Sequence, residues 1–340
     1  MAHKSKKLAA LAVLRQAVEP IGLSTLADRL GSVPSRTLRR WLTVWIQEGV
    51  IEKLGGGRAT RYRYCIAEVT PNASLTFLEG LDSDLRQSLL KQLRDLWTHN
   101  STAIEGNTLT LGDTHFVLEE GLTISGKPLK DHQEVIGHAK AIELLYTALS
   151  GPLSESVIFD LHKAIQIEKN ADIYKPVGGW KIETNGTYAI TEEGVQTFIE
   201  YALPIYVPAL MSELIDYVNR IDLKTVNASN AHQHYARIHM AIVHIHPFWD
   251  GNGRIARLLA NIPLLKAGLP PLVIPQDQRR EYIQILANYQ ISVGPLDETT
   301  GIWPRTKQLK DFEHFCESIY SITKALVGNA HELQQKRTRA

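Results

Sequence analysis

The sequence predicts a mainly α-helical protein with one β-hairpin in its larger part and a smaller module of helices and strands at its N terminus. Most segments of the chain place apolar residues at helical spacing. Asn185-Gly186 lies between two short strand-like runs, a strong signal for a hairpin turn. Residues 1–66 contain 12 Lys and Arg against 4 Asp and Glu, whereas the whole chain has a net charge of only +1. This asymmetry predicts a basic N-terminal module that meets nucleic acid.

Length and composition exclude several classes of protein. With 340 residues and 44% hydrophobic content, the chain can fill a sizeable core and predicts two or three domains. Two cysteines, Cys65 and Cys316, cannot build a disulfide framework, and no Cys/His spacing resembles a zinc site. Because no segment approaches the roughly 18 apolar residues that a membrane span needs, we expect a soluble cytoplasmic protein without a membrane partner.

The N-terminal module is predicted to fold as three helices followed by two strands. The helices cover 8–18, a segment through Leu30 capped by Ser24, and 36–47 capped by Ser35, and the strands cover 50–54 and 61–65. This order resembles a winged helix-turn-helix over residues 1–66, which would bind duplex DNA. Four side chains would contact the DNA, three on the third helix and one on the wing: Arg36, Arg39, Arg40 and Arg58. A protein-interaction module with solvated arginines is the alternative.

The rest of the chain is predicted to be helical apart from the hairpin and its loops. Residues 67–82 form a linker, and a long helix then starts near residue 83. The segment 107–130 is turn-rich. Further predicted elements, in order, are helices 131–149 and 154–167, strands 181–184 and 187–190, helix 198–219 with proline interruptions, helix 279–292 and a final helix 306–328 with a frayed basic tail.

Residues 246–257, which we call the signature, read His-Pro-Phe-Trp-Asp-Gly-Asn-Gly-Arg-Ile-Ala-Arg. Pro247 cannot continue the preceding apolar helix, so His246 is left at its C-terminal end. The glycines at 251 and 253 tolerate positive φ and allow successive backbone N–H groups to point into one concavity. The helix that follows adds its positive dipole end to this anion site.

The charged side chains of the signature complete a site for phosphate chemistry. Arg254 and Arg257 stand three residues apart and so share one helix face. Asp250 is the only carboxylate of the loop, and an oxygen ligand beside a phosphate cradle suggests Mg²⁺. His246 titrates near neutral pH and could act as a base. Together these groups predict phosphoryl or nucleotidyl transfer.

The signature resembles that of the Fic family, His-Pro-Phe-x-(Asp/Glu)-Gly-Asn-Gly-Arg-x-x-Arg, at every fixed position. The resemblance covers roughly residues 85–300, within a domain predicted at 83–304, and implies an all-helical core that transfers AMP from ATP to a Ser, Thr or Tyr hydroxyl of a protein. It implies that His246 is the general base and that Asp250 holds Mg²⁺ or Mn²⁺. The residues implied to bind the nucleotide phosphates are Gly251, Asn252, Gly253, Arg254 and Arg257.

Upstream, residues 101–106 match (Ser/Thr)-x-x-x-Glu-(Gly/Asn), which in the Fic family marks an inhibitory helix, here about 98–107. Glu105 could pair with Arg257 and occupy the volume of a nucleotide γ-phosphate. The alternative is an ordinary exposed glutamate near a helix end. Some relatives with an N-terminal inhibitory glutamate also remove AMP, so Glu105 could serve both roles.

The resemblance also implies a β-hairpin flap, about residues 180–190, that adds a strand to the target protein. The flap residues that would dock the target are Thr184, Asn185, Gly186 and Thr187. Lys181 stands where many family members have the arginine of Gly-x-x-Arg, so this part of the match is loose. Tyr282 and Tyr289 are candidates for contact with the adenine ring, and placement in the core is an equally weighted alternative.

The expected partners are ATP and an unidentified target protein, which could be the chain itself, while duplex DNA is expected from the N-terminal module. From a different functional class, the protein could be a transcription regulator whose Fic site only senses a nucleotide. The sequence does not distinguish a monomer from a homodimer.

Overall fold

The computed structural model describes most of the chain as two compact units, Met1–Thr70 and Pro71–Ala340. The described residues are 10, 13–14, 17, 20–31, 33–47, 51–57, 60–64, 75–166, 172–191, 194–304 and 308–339. Within these ranges no helix is both long and apolar enough to cross a membrane.

The first unit contains helices α1 (Leu23–Leu30) and α2 (Ser35–Gln47) and the antiparallel strands β1 (Ile51–Leu54) and β2 (Arg61–Tyr64). Ile21 adds a short bridge to Tyr62, with backbone N···O distances of 3.0 and 2.8 Å. Helix α2 buries a stripe of four apolar side chains: Leu38, Trp41, Leu42 and Trp45. The N-cap of α1 is Gly22, so the prediction of Ser24 as cap is wrong. Most of the predicted helix 8–18, together with Arg58 and Cys65, lies outside the described residues.

In the part of the second unit that the structure describes, the regular elements are helices apart from one hairpin. Its elements, in order, are a 3₁₀ turn (Thr76–Leu78), α3 (Ser83–Ile104), α4 (Leu111–Glu120), α5 (Leu129–Ala148), α6 (Glu155–Ile165), β3 (Gly186–Ile190), β4 (Gln196–Glu200), α7 (Val207–Arg220), α8 (Ala231–Ile245), α9 (Asn252–Leu259), α10 (Ile262–Lys266), a 3₁₀ turn (Gln276–Gln278), α11 (Arg279–Val293), α12 (Leu309–Ile319) and α13 (Ser321–Arg339). Nearly all of α8 is buried, between α7, α9 and α12. The mainly helical fold class is therefore confirmed, and α8 delivers the signature from the centre of the unit.

The hairpin, which we call the flap, consists of β3 and β4 and differs from the prediction. Gly186 pairs with Glu200 and Ile190 with Gln196, so the turn lies beyond Ile190 and Asn185-Gly186 begins the first strand. The predicted strand 181–184 is absent, and the first part of the predicted helix 198–219 is β4. Gly186 is needed for close approach, because a Cβ there would lie 2.6 Å from the carbonyl oxygen of Ile199 and would also clash with the Phe198 ring.

Helix α4 lies in the segment that was predicted to be turn-rich. Its N-terminus carries a capping box, in which the Thr110 hydroxyl accepts from the Asp113 N–H and the Asp113 carboxylate accepts from the Thr110 N–H. Its C-terminus is capped by Gly121 in the left-handed conformation. Both signals are present in the sequence, so this helix could have been predicted.

Both ends of the second unit are more ordered than predicted. Residues 75–82 are not a linker, since Phe77 is buried and its N–H donates to the Gly268 carbonyl at 3.1 Å. The predicted final helix is two helices, α12 and α13, separated at Tyr320. Helix α13 continues through the basic tail, where Arg337 pairs with Asp84 at 2.7 Å, so the prediction of a frayed tail is wrong.

Three further side chains of this unit are placed as follows. Ile136 on α5 is exposed. Pro263 lies at the start of α10 and separates it from α9. Cys316 is a small buried side chain on α12.

Candidate active site

His246 occupies the point where α8 ends and the signature begins. Among the described residues it is the one non-glycine with positive φ, 53°, a strained conformation for a bulky side chain. Its N–H caps the helix by donating to the Ile242 carbonyl at 2.9 Å, and its Nδ1 lies 3.3 Å from the Val243 carbonyl. The Tyr201 ring stacks on the imidazole with centroids 3.7 Å apart and planes 4° apart. These contacts fix the imidazole orientation.

The surroundings of His246 keep its imidazole neutral. Burial and the positive charge of Lys181 lower the pKa of His246 to about 3. The sequence-based expectation of a side chain that titrates near neutral pH is therefore wrong for this environment. A neutral imidazole whose Nδ1–H donates to the Val243 carbonyl has a free lone pair on Nε2. His246 is thus arranged to accept a proton.

The loop after His246 is held by its own polar groups and by a buried aromatic ring. The Asn252 carboxamide accepts from the Phe248 N–H and donates to the Phe248 carbonyl, both at 2.9 Å. Phe248 stacks on the His162 ring, with centroids 3.8 Å apart. His162 Nδ1 accepts from the Gly178 N–H, so Nε2–H donates to the Asp250 carbonyl at 3.0 Å. His162 therefore has a structural role in holding the loop.

Asn252 therefore acts differently from the prediction. Its side chain is buried and committed to Phe248, so only its backbone can contribute to an anion site. Gly251 has φ 83° and is the N-cap of α9, and the first N–H groups of a helix have no partner within the helix and suit an anion. We call the backbone of residues 251–253 the nest.

Asp250 and Arg254 form one side of the site. The Arg254 guanidinium donates to Asp250 Oδ2 at 3.1 Å and to the Ile165 carbonyl at 3.3 Å, while its buried Nε has no hydrogen-bond partner. Gln166 also donates to Asp250 Oδ2, at 3.2 Å. Partial desolvation opposes ionisation of Asp250, but Arg254 and Gln166 outweigh it and hold the pKa of Asp250 below its ordinary value.

Arg257 forms the other side and is almost fully enclosed by α3 and α11. It donates from Nε to the Ser101 hydroxyl at 3.0 Å and from one terminal nitrogen to the Ser101 carbonyl at 2.9 Å. The same nitrogen lies 2.6 Å from Glu105 Oε1, and the other donates to the Tyr282 hydroxyl at 3.3 Å. Burial opposes the charge of Arg257, yet Glu105 and Tyr282 raise its pKa above the ordinary value. The two arginines of the signature thus have separate sets of partners.

Glu105 lies directly over the nest. A Cβ placed on Gly253 would be 2.6 Å from Glu105 Oε1 and 3.0 Å from the Arg257 guanidinium. Glu105 is the C-cap of α3 and its side chain is 40% exposed, whereas that of Arg257 is 2% exposed. A carboxylate therefore occupies the volume beside the nest and Arg257, which are groups suited to an anion.

The structure does not bring every predicted residue to the site. Tyr282 and Tyr289 are 1% and 2% exposed and pack in the core, so contact with a base is not supported and the core alternative describes them. Burial raises the pKa of each to about 12. Thr184 is exposed ahead of the flap, Thr187 is exposed in β3, and the Asn185 side chain is bonded to the signature. Arg36, Arg39 and Arg40 are exposed on α2 of the first unit.

Three residues that contact the site have no role predicted from the sequence. Tyr201 stacks on His246, the Lys181 Nζ lies 5.8 Å from the centroid of the Tyr201 ring, and Gln166 bonds to Asp250. Tyr201 and Lys181 reach His246 from opposite ends of the flap, so no periodic pattern connects them. Only the departure from Gly-x-x-Arg at Lys181 drew attention to that position.

The geometry can be compared with known proteins. Residues 152–264 match the protein-family model of the Fic/DOC family. The protein adenylyltransferase fic-1 of Caenorhabditis briggsae is 36% identical over 198 residues, covering 57% of this chain and 36% of that protein. The protein adenylyltransferase Fic of Drosophila erecta is 30% identical over 234 residues, covering 65% of this chain and 44% of that protein. The matches thus span less than half the length of these two relatives.

A solved structure gives the same fold. A Fic domain containing signaling protein from Bacteroides thetaiotaomicron VPI-5482 superposes with a TM-score of 0.65 at 29% sequence identity, covering 76% of this chain and 94% of that one.

Proposed function

We propose that the chain is a Fic-domain protein that acts as a protein adenylyltransferase, and the similarity to the Fic/DOC family model and to protein adenylyltransferases supports this. It transfers AMP from MgATP to a Ser, Thr or Tyr hydroxyl of a protein and releases pyrophosphate. The observation that carries this proposal is the neutral, oriented His246 beside a nest that is already occupied by a carboxylate, Glu105. A base next to an anion cradle is what attack of a hydroxyl on a phosphate requires.

His246 removes the proton from the target hydroxyl. Nε2 accepts the proton as the hydroxyl oxygen bonds to the α-phosphorus of ATP, and the bond from that phosphorus to the pyrophosphate oxygen breaks. The hydrogen bond to the Val243 carbonyl and the stacked Tyr201 ring hold the imidazole in one orientation throughout. This preorganisation lowers the barrier without rearrangement of the site at the moment of reaction.

The anionic groups of ATP are bound by the nest and by the two arginines. The N–H groups at the start of α9 point to the concavity, and Arg254 Nε is a buried donor that no described group satisfies. Arg257 is held by Ser101 in a fixed orientation, so its charge is available to the outer phosphates once Glu105 leaves. Catalysis is therefore mainly positioning and electrostatics.

Asp250 fits the role of metal ligand. Its carboxylate is 69% exposed and lies beside the nest, and its lowered pKa keeps it ionised. Mg²⁺ is commonly bound by one or two carboxylates together with phosphates and water, so a single carboxylate at this position fits it. When bound, Mg²⁺ or Mn²⁺ supplies charge neutralisation on the phosphates.

Glu105 inhibits the enzyme by excluding the productive position of ATP. Its Oε1 bonds to Arg257 at 2.6 Å and lies against Gly253, where the outer phosphate of the nucleotide is expected. Moving Glu105 away would expose both groups. The pairing predicted from the sequence is thus present as a contact, and its inhibitory effect is our proposal.

The flap positions the target protein by pairing with an extended segment of it, which becomes an additional strand beside the hairpin. The strands project exposed apolar side chains, among them Tyr188 and Phe198, and the outer edges of a two-stranded hairpin have unpaired backbone groups. Because Asn185 is bonded to the signature, the docking residues shift from the predicted 184–187 toward β3 and β4 themselves.

The test is incubation of the protein with α-labelled ATP and a cell lysate, followed by a mass-spectrometric search for AMP adducts. Glu105→Gly should yield labelled protein, including the chain itself if it is a target, and His246→Ala should yield none. Absence of any adduct with Glu105→Gly, under conditions where ATP binds, would remove the transferase proposal and favour a nucleotide-sensing regulator.

Removal of AMP is a second candidate activity of the same site. The Glu105 side chain remains 40% exposed while its Oε1 is bonded, so it could orient a water molecule toward an AMP-modified target. Protein labelled by Glu105→Gly would then lose AMP when the parent chain is added. A stable label in the presence of the parent would eliminate this activity.

DNA binding by the first unit is proposed separately. Arg36, Arg39 and Arg40 are exposed on α2, which would be the recognition helix if the first unit is a winged helix-turn-helix. The full chain should shift duplex DNA at low salt, with affinity that falls steeply as salt rises, because phosphate contacts release counterions. Replacing the three arginines with alanine should abolish the shift; an unchanged shift would assign it to other surfaces.

A further inference from the structure

Lys181 is a buried lysine at the base of the flap. It is 2% exposed, an unusual environment for an ammonium group. Its Nζ donates to Asn185 Oδ1 at 2.6 Å, and no salt bridge to it occurs among the described carboxylates within 4.0 Å. A cation that is kept out of water without a carboxylate partner needs compensation, and here an amide oxygen and an aromatic face provide it.

Lys181 and Asn185 connect the flap to the signature through two consecutive residues. The Lys181 backbone N–H donates to the Pro247 carbonyl at 2.8 Å. The Asn185 carboxamide donates to the Phe248 carbonyl at 3.2 Å, while its oxygen accepts from Lys181. Asn185 is followed directly by β3, so these bonds set where the first strand leaves the site.

On its other side, Lys181 contacts the end of the second strand. Its Nζ lies 5.8 Å from the centroid of the Tyr201 ring, and Tyr201 follows β4 directly. The same ring stacks on the His246 imidazole, with centroids 3.7 Å apart. The Tyr201 N–H also donates to the Asn185 carbonyl at 3.4 Å, which closes the base of the hairpin. The Lys181 amine therefore contacts both ends of the flap, and through the Tyr201 ring it is next to His246, the proposed general base.

We propose that Lys181 is a positioning residue that couples the flap to His246, so that the segment presenting the target hydroxyl and the base receiving its proton are held by one side chain. This inference rests on the proposed AMP transfer. The charge of Lys181 agrees with this coupling, because together with burial it lowers the pKa of His246 and so keeps the imidazole neutral. Burial lowers the pKa of Lys181 itself to about 8, which leaves most of the amine protonated near neutral pH.

The proposal predicts a selective defect. Lys181→Met keeps the length of the side chain but removes its charge and its donor, so Asn185 and Tyr201 lose a shared partner. In the Glu105→Gly background, the maximal rate of auto-labelling with α-labelled ATP should fall about 10- to 100-fold, the range expected for a buried hydrogen bond to a charged group. The ATP concentration at half-maximal rate should change less than about twofold, because no bond of the nest is removed.

A second readout does not depend on activity. Hydrogen–deuterium exchange of the amides of β3 and β4 should accelerate about tenfold in Lys181→Met, since the hairpin loses the link at its base. Lys181→Arg, which keeps the charge and the donor, should restore most of the labelling and of the protection. Lys140→Met, on an exposed face of α5, is the matched control and should leave both the labelling rate and the exchange of the flap unchanged.

The outcomes separate the two proposals. If Glu105→Gly itself labels nothing, AMP transfer is wrong, whereas faster exchange confined to the flap in Lys181→Met still supports the coupling. If Lys181→Met in the Glu105→Gly background labels as fast as Glu105→Gly alone, or if its flap exchanges as fast as that of the unmodified protein, the positioning role is overturned. Should Lys181→Met fail to fold, Asn185→Ala tests the same link, and unchanged labelling and exchange in that variant would overturn the proposal equally.

Discussion

The signature and the flap are bonded to one another, yet they are built in opposite ways. In the signature, Phe248 and Asn252 are buried and their polar groups satisfy each other. In the flap, Tyr188, Ile190 and Phe198 are exposed, and within the described ranges β4 is the one strand that pairs with β3. A two-stranded hairpin is marginally stable by itself, so its order depends on contacts at its base. The comparison indicates a rigid part that performs chemistry and an adaptable part that receives the target.

The largest expected effect concerns the rigid part. His246→Ala removes the group that accepts the proton, so AMP transfer in the Glu105→Gly background should fall about 10²- to 10⁴-fold. ATP affinity should remain within about twofold, because the nest and arginines are unchanged. Initial labelling rates and calorimetric ATP binding measure the two quantities. Undiminished labelling by His246→Ala would show that another group is the base.

A change in the flap should have a smaller effect, which concerns the labelling of protein substrates and not the affinity for ATP. Gly186→Ala forces a Cβ against the Ile199 carbonyl and the Phe198 ring, so the pairing of β3 with β4 should be disturbed. Labelling of protein substrates should fall about tenfold with unchanged ATP affinity, an effect comparable to loss of one or two strand contacts. Gly112→Ala, in the open first turn of α4, is the matched control. Equal labelling rates for Gly186→Ala and Gly112→Ala would show that the flap does not dock the target.

The smallest effect is expected from pH. A general base must be neutral, so activity is lost as pH falls through the pKa of His246 in the folded protein. Because that pKa lies at about 3, transfer by Glu105→Gly should change less than about twofold between about pH 7 and 5. An ordinary histidine would lose more than about tenfold over this range. A steep decline near pH 6 would mean that His246 is more solvated than the structure indicates.

The signature could be predicted from the sequence to a larger extent than the flap. The signature is local: Pro247 ends the helix, glycines form the nest, and the charged groups follow within a few residues. In the flap, the local Asn185-Gly186 turn signal is overridden by tertiary contacts, because the Asn185 carboxamide is bonded to Lys181 and Phe248. The stacking of Tyr201 on His246 joins residues with no periodic relation, so no pattern in the chain could indicate it.

The contact between Glu105 and Arg257 lies between these cases. The two residues are 152 positions apart, so spacing could not connect them, and the motif at 101–106 did so only through its resemblance to a family pattern. Helix α4 shows the reverse, since its capping box at Thr110 and Asp113 was readable and was missed.

The central claim is that Glu105 holds the site closed, and auto-labelling of the parent and Glu105→Gly with α-labelled ATP tests it most directly. A charge-assisted bond worth roughly 1.5–3 kcal/mol suppresses the competent state about 10- to 100-fold. Glu105→Gly should therefore label that much faster than the parent. Glu120→Gly, the last residue of α4 and likewise followed by glycine, is the matched control and should label as the parent does. Arg257→Ala should abolish labelling in both backgrounds. Equal labelling by the parent and Glu105→Gly would contradict the account.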